Sequence, residues 1–579
     1  MHSGPVGSDE SDSSGNCTHR RVRRRLGDAE WCAAAETAPR TAQDSIATAE
    51  GLATSASRHD TARMAERNAL APVLMVQGTA SHAGKTTIVA ALCRIFARAG
   101  YRVAPFKAQN MSNNAAVTMS GGEIGRAQAM QAMAAGIPAT VDMNPILLKP
   151  QSDWTSQIVV LGEVRHRDDA RRYYNRTAEL WPVVTGALDR LRASHDLVIA
   201  EGAGSPAEIN LERYDLVNMR VARYAQAPVV LVGDIDRGGV FASLFGTVML
   251  LPESDRALIR GFIINKFRGD PSLLDPGFVM LEERTGIPTL GVVPYADLSR
   301  VPAEDAVDWA SGSSDNETTL IDIAIVRLPR VANLDEFQPL MGESGVSVRW
   351  VSEPSRIRQA DLIIIPGTKS TMADLEWMRD RGLDLAIQQR RMAGTPVLGI
   401  CGGFQMLGAD LVDELGVERR GTMKGLGLLP TTAVFAPDKT TRRVVARVDE
   451  PSALWDANAV GERIEAYEIH AGQLVLSELV GVHARPFRVE STTGDYADGC
   501  TSSDGLVVGT YMHGLLENDA LRHAMLDRLA RRKGERFSPS TKSRSPNEAI
   551  DALADCVRDN VDMTAIAAMV GRTIRASSP

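Results

Sequence analysis

Cysteine is scarce in this chain of 579 residues, with six in all. They stand at positions 17, 32, 93, 401, 500 and 556, with no CxxC pair and no Cys/His spacing of the metal-ligand kind. That pattern signals neither a disulfide framework nor a zinc site. Long hydrophobic runs are missing too: nothing approaches the roughly 18 consecutive apolar residues of a membrane span. The opening stretch MHSGPVGSDESDSSGN also lacks the apolar core of a secretory signal. No membrane partner is expected, and the cytoplasm is the default compartment. An excess of basic charge is absent as well, since 64 Lys+Arg stand against 72 Asp+Glu for a net charge of −8. Nucleic acid is therefore not expected as a main partner.

What is present is enough for several packed domains, with 44% hydrophobic residues. Residues 1–70 mix Ser, Asp, Thr and Ala with an Arg-rich run, HRRVRRR at 19–25, and read as a disordered leader. Met64, just before the first strand, is an alternative start. From Val73 short apolar strands alternate with amphipathic helices: VLMV (73–76), DLVIA (196–200), PVVLVGDI (228–235), IRGFIINKF (259–267) and GVV (291–293). Buried strands between helices predict an α/β fold, a doubly wound parallel sheet over residues 71–309. The polar stretch at 310–320 reads as a linker, and 321–530 as a second α/β domain with antiparallel character near its end. Residues 531–579 read as loop followed by a short helical tail.

Between the first strand and the first helix lies GTASHAGKTT, with Gly78, Gly84, Lys85, Thr86 and Thr87. Backbone N–H groups and a helix N-terminus there are placed to cradle phosphate, with Lys85 on the β/γ-phosphates of ATP and the Thr86 hydroxyl on Mg2+. Five residues separate the glycines instead of the usual four, and this stretched loop resembles the dethiobiotin synthetase branch of P-loop proteins. Lys107 in PFKAQNMSNN is a candidate second cation, and Glu201, opening EGAGSPAEIN, a candidate Mg2+ carboxylate. Asp234, Asp236 and Arg237 in VGDIDRGGVFAS end another apolar strand, and strand ends of such a sheet converge on the ligand crevice.

The second domain carries PVLGICGGFQ, an apolar strand entering a Gly-flanked turn at Cys401 and then a helix. That arrangement exposes a thiol at a helix N-terminus, where the thiolate is favoured. A thiol nucleophile needs a base, and two histidines compete: His513 in GTYMHG and His470 in YEIHAGQ. His513 ends an apolar strand beside a small residue and is preferred, while His470 is expected to line a pocket.

GxCxGxQ with a late His resembles the class I (triad) glutamine amidotransferases. Its fusion to a dethiobiotin-synthetase-like ATPase half resembles the cobyrinic/cobyric acid amidotransferases of corrinoid synthesis. APFKAQNMSNN, GGEIGRAQAMQA, VDMNPILLKPQSD, EGAGSPAEINL, VGDIDRGGVFAS and GICGGFQMLG resemble the cobyric acid branch in particular, over about Val73 to Asn518. The resemblance implies a flavodoxin-like amidotransferase domain that hydrolyses glutamine through Cys401 and His513. Gly402 and the Pro366-Gly367-Thr368 loop are its implied oxyanion hole, and Asn265 its implied adenine contact. ATP and Mg2+ would activate corrinoid carboxylates, and ammonia would reach them along a protected route. The corrinoid is implied as substrate, with no catalytic cobalamin and no permanent metal beyond Mg2+. Two departures stand out: position 515 is Leu where triad enzymes carry Glu, leaving the orienter of His513 open with Glu517 a candidate, and Ala471 replaces the Met expected after YEIH. The rivals are an a,c-diamide synthase, a P-loop switch with an inert amidotransferase-like module, and a simple glutaminase. The oligomeric state is not legible.

Overall fold

The computed structural model describes residues 70–152, 154–295, 319–357, 359–476, 484–492, 494–539 and 545–574. The expected leader, but for Leu70, and the expected linker, but for Thr319 and Leu320, lie outside the described residues.

Six parallel strands carry the P-loop half, in the order Thr289–Pro294, Ile259–Phe267, Val229–Asp234, Val73–Gly78, Leu197–Glu201, Val103–Phe106. The inner strands are buried on both faces, which is why they read as continuous apolar runs. Pairing sets Val76 beside Glu201 and Gly78 beside Val232, so the strand ends at Gly78, Glu201, Asp234 and Phe106 share one edge. The doubly wound expectation does not cover a second, four-stranded sheet of Gln109–Met111, Ile146–Pro150, Thr155–Val160 and Glu163–Asp169. Its outer strand, EVRHRDD, is largely exposed and charged, so no apolar run marks it in the sequence.

In the second half a six-stranded sheet runs Val346–Val351, Ile321–Val326, Leu362–Ile365, Val397–Ile400, Val507–Thr510, Cys500–Thr501. Its pairs are parallel except the last. Beside it lies a mixed sheet built on the long antiparallel pair Thr431–Val448 and Arg463–Leu476. That pair brings Tyr467 opposite His513.

The C-terminal segment is not an appendage. Helix Pro546–Asn560 opens with a full capping box, Ser545 with Glu548, and Pro546 in the first turn. It buries Ile550, Leu553, Ala554 and Val557 in the same cluster as Ile88, Leu92 and Phe96 of the P-loop helix. Val561 then bridges to Gly291 on the edge strand, where a Cβ on Gly291 would stand 2.1 Å from the Asn560 carbonyl oxygen. Two stretches of chain far apart in sequence thus complete one domain.

Candidate active site

At the phosphate end the loop 78–87 is held from several sides. Lys85 folds across Gly78, where a Cβ would meet its side-chain atoms at 3.1 Å, and its Nζ donates to the carbonyls of Ala80 (2.9 Å) and Gly204 (3.1 Å). Gly84 takes φ +96°, and a Cβ there would stand 2.0 Å from Asn265 Nδ2. Asn265 donates to the Ala83 carbonyl at 3.0 Å, so its amide fastens the loop. The Thr87 hydroxyl donates to the Gly84 carbonyl at 2.8 Å. Thr86 instead turns to the sheet edge, where its hydroxyl donates to Glu201 Oε1 at 2.9 Å. Lys107 Nζ meets the same oxygen at 2.8 Å, with both side chains buried. Gln131, which the motif reading did not single out, donates to Glu201 Oε2 at 2.5 Å. Thr86, Lys107 and Gln131 therefore converge on Glu201 and Lys85 reaches the Gly204 carbonyl on the segment that follows it, whereas Thr87 and Asn265 shape the loop behind them. Asp234 accepts from Lys266 at 2.8 Å, and the Asp236 N–H donates to its Oδ1.

The thiol end has the expected sharp turn. Cys401 has φ +50° and ψ −107°, a backbone conformation rare for a residue with a side chain, and caps the helix Gly402–Leu407. The turn closes only over glycines: a Cβ at Gly403 would lie 2.0 Å from the Ile365 carbonyl oxygen, and one at Gly509 would enter the Phe404 ring. Cys401 Sγ lies 3.5 Å from the Ile469 carbonyl. Gly367 packs against both His513 and Cys401, for a Cβ there would stand 2.7 Å from His513 Cε1 and 3.7 Å from Cys401 Cβ. Gly402 stands at the first helical position, where its N–H has no acceptor within the helix.

His513 has the partner that the motif left open. Glu336 Oε1 lies 3.1 Å from His513 Nδ1, and Glu336 Oε2 accepts the Gly514 N–H at 3.1 Å. Both side chains are buried. Burial alone would lower the imidazole, but the facing Glu336 carboxylate and Cys401 thiol outweigh it and raise His513 to about 10. The competitor, His470, lines the same cavity, stacked on Tyr511 at 3.9 Å with Nδ1 at the Gly472 carbonyl, and burial lowers it. Glu517 does not reach His513. It pairs with Arg126 at 2.6 Å, and Arg126 also pairs with Asp335, next to Glu336.

Both halves build this site. Asn114 Oδ1 accepts the Leu334 N–H at 3.1 Å while Asn333 Oδ1 accepts the Ala115 N–H at 2.9 Å, a reciprocal clasp on the segment that carries Glu336. Ala115, Val117, Leu147 and Val159 pack on Tyr467 and Ile469 in an apolar contact beside the thiol. A cavity of about 90 Å³ opens at Cys401 and His513, with Gln405 and Thr371 in one wall and Lys149 and Gln157 of the P-loop half in the other. One helix, Arg126–Ala135, touches both ends, Arg126 at the thiol site and Gln131 at Glu201. Glu336 escaped the motif reading because no spacing connects it to His513, and Arg126 sits in GGEIGRAQAMQA without being singled out; only a buried acidic pair, Asp335-Glu336, within an apolar stretch hints at a role.

Among the described residues no helix is long and apolar enough to cross a membrane. Residues 74–307 match the family profile described as a CobQ/CobB/MinD/ParA nucleotide binding domain, and residues 322–521 the one described as a CobB/CobQ-like glutamine amidotransferase domain. A protein of Sorangium cellulosum (strain So ce56) named cobyric acid synthase is 49% identical over 514 residues, spanning 86% of this chain and 98% of that one. Another of that name, from Dehalococcoides mccartyi (strain CBDB1), is 48% identical over 515 residues, spanning 87% and 100%. A third, from Chloroflexus aurantiacus, is 49% identical over 488 residues, spanning 84% and 96%.

Proposed function

The chain belongs to the cobyric acid synthase family, and from that premise we propose that it amidates the b, d, e and g carboxylates of adenosylcobyrinic acid a,c-diamide, giving adenosylcobyric acid. Membership makes it a glutamine-dependent amidotransferase of cobalamin synthesis with a nucleotide-binding half. The observation that carries the reading of its sites is the pairing, in one folded unit, of a buried Cys401–His513–Glu336 set with the cluster of Lys85, Thr86, Lys107 and Glu201.

In the thiol site Cys401 Sγ attacks the side-chain amide carbon of glutamine. His513, held as imidazolium by Glu336, gives its proton to the departing ammonia, then takes one from the water that cleaves the thioester to glutamate. Gly402 and the Gly367 loop offer N–H groups to the tetrahedral oxyanion. In the P-loop site a corrinoid carboxylate oxygen attacks the γ-phosphorus of ATP and ADP leaves. Ammonia then adds to the acyl carbon and phosphate departs, forming the amide. Lys85 and Lys107 would offset the negative charge in transit. Thr86 and Glu201 fit Mg2+, since a hydroxyl and a carboxylate oxygen 2.9 Å apart are hard oxygen donors. When bound, the ion would draw charge from the phosphate oxygens. Ammonia is mostly ammonium at neutral pH and is then no nucleophile, so a sheltered path between the sites suits the chemistry. The requirement for ATP accords with a cytoplasmic enzyme.

The test is an assay with ATP, Mg2+, glutamine and adenosylcobyrinic acid a,c-diamide, read by product mass. Four added amides are expected, with Cys401→Ala active only when ammonia replaces glutamine. ATP hydrolysis without any change in corrinoid mass would sink the proposal.

A further inference from the structure

The cavity at Cys401 holds more positive charge than the hydrolysis of an amide uses. Lys149 and Lys439 share one carboxylate, that of Glu123, each at 2.5 Å. Lys369, two residues beyond Gly367, lines the same cavity, and its Nζ donates to the neutral amide oxygen of Gln157 at 2.6 Å. Among the described residues no carboxylate lies within ion-pair distance of Lys369. Desolvation, and then repulsion from Lys439 and Lys149, holds its ammonium well below the ordinary lysine range. Glu123 and Glu418 attract it only from beyond ion-pair distance, and its hydrogen bond goes to a neutral dipole, so an arriving anion in direct contact would relieve the cost of burial. Glu418 lines the cavity as well, its Oε2 accepting the Met372 N–H at 3.1 Å, and burial pushes its carboxyl up. Glu418 and Lys369 attract each other across the cavity without touching, so the wall presents one carboxylate and one ammonium to a ligand that carries both charges.

We infer that this lysine-rich wall receives the amino-acid end of free glutamine, with the α-carboxylate against Lys369 and the α-ammonium toward Glu418, leaving the side-chain amide to reach Cys401. The inference rests on the reading of Cys401 as the glutamine nucleophile and adds the residue that selects the free amino acid. Lys369 touches the substrate's charged end, not the reacting amide, so its contribution falls on binding. Gln157 and Lys149 come from the P-loop half, so the specificity wall is complete only where the two halves meet.

The probe is 4-aminobutanamide, which is glutamine without its α-carboxylate. Ammonia release from each substrate gives a selectivity ratio, kcat/KM for glutamine over kcat/KM for the analogue. Lys369→Met should raise the KM for glutamine and cut the ratio by about 30-fold, the size of one lost charge-assisted contact. Lys369→Arg, which keeps the charge, should retain most of the ratio. A Lys369→Met enzyme with the wild-type ratio, or one that loses both substrates alike, would overturn the inference while leaving the amidotransferase reading intact. Wild-type protein that releases no ammonia from glutamine would overturn both.

Discussion

Glu336 holds the turn carrying His513 by both of its oxygens, Oε1 at the imidazole Nδ1 and Oε2 at the next residue's N–H, each at 3.1 Å. The two residues are 177 apart in the chain. A carboxylate so placed fixes the tautomer and ring plane, turning Nε2 toward the sulfur, the work usually done by a carboxylate two residues after the His.

Glu336→Gln should therefore lower glutaminase kcat by about 10²–10⁴, the range for a misdirected general acid–base, with a smaller change in KM. The carboxylate raises His513, so its loss should lower it. The alkaline limb of the glutaminase profile, expected near pH 10 in the wild type, should move toward neutral pH in the variant. An unmoved limb would mean that Glu336 does not face the working imidazole.

The protonation of His513 also bears on folding. Its folded value of about 10 lies above the roughly 6.5 of an unfolded chain, so the stability it contributes is full below about pH 6.5 and is lost as pH rises toward 10. Denaturant midpoints across that window should fall more steeply for the wild type than for Glu336→Gln.

Gly367→Ala puts a methyl 2.7 Å from His513 Cε1. Backbone or imidazole must shift by a fraction of an ångström, which should cost about 10²-fold in glutaminase turnover. Amidation with external ammonia should suffer far less.

Arg126 ties the Asp335-Glu336 segment and the Glu517 turn to the P-loop half. Arg126→Met should lower glutaminase kcat by about 10-fold through loosened Glu336, and Arg126→Lys should recover part of it. Equal activity in both variants would show that the Asn114–Asn333 clasp suffices.

Ile550, wholly buried against the P-loop helix, gives the C-terminal helix a structural duty. Ile550→Ala should destabilise the protein by about 2–5 kcal/mol, measured by urea unfolding. A change near zero would return the tail to the status of an appendage.

The phosphate loop and the thiol turn were legible in the sequence because each is local: a strand, a glycine-bearing turn and a helix start within about ten residues. Their chemistry depends on backbone conformation, and backbone conformation leaves a mark on residue choice at Gly78, Gly84, Gly403 and Cys401. The four-stranded sheet after Lys107 was not legible, since strands with charged outer faces carry little hydrophobic period. Nor was the packing of the C-terminal helix, whose apolar face names no partner.

By itself the sequence marked the buried strands of the P-loop half, the nucleotide loop, the thiol turn and the pair of competing histidines, all through patterns among near neighbours in the chain. Tertiary structure alone decided that Glu336 orients His513, that Gln131 and Lys107 meet on Glu201, and that lysines of both halves surround the thiol. Those groups have no register or spacing in common. Burial selects them, because a carboxylate or ammonium taken out of water must find its partner wherever the fold brings one.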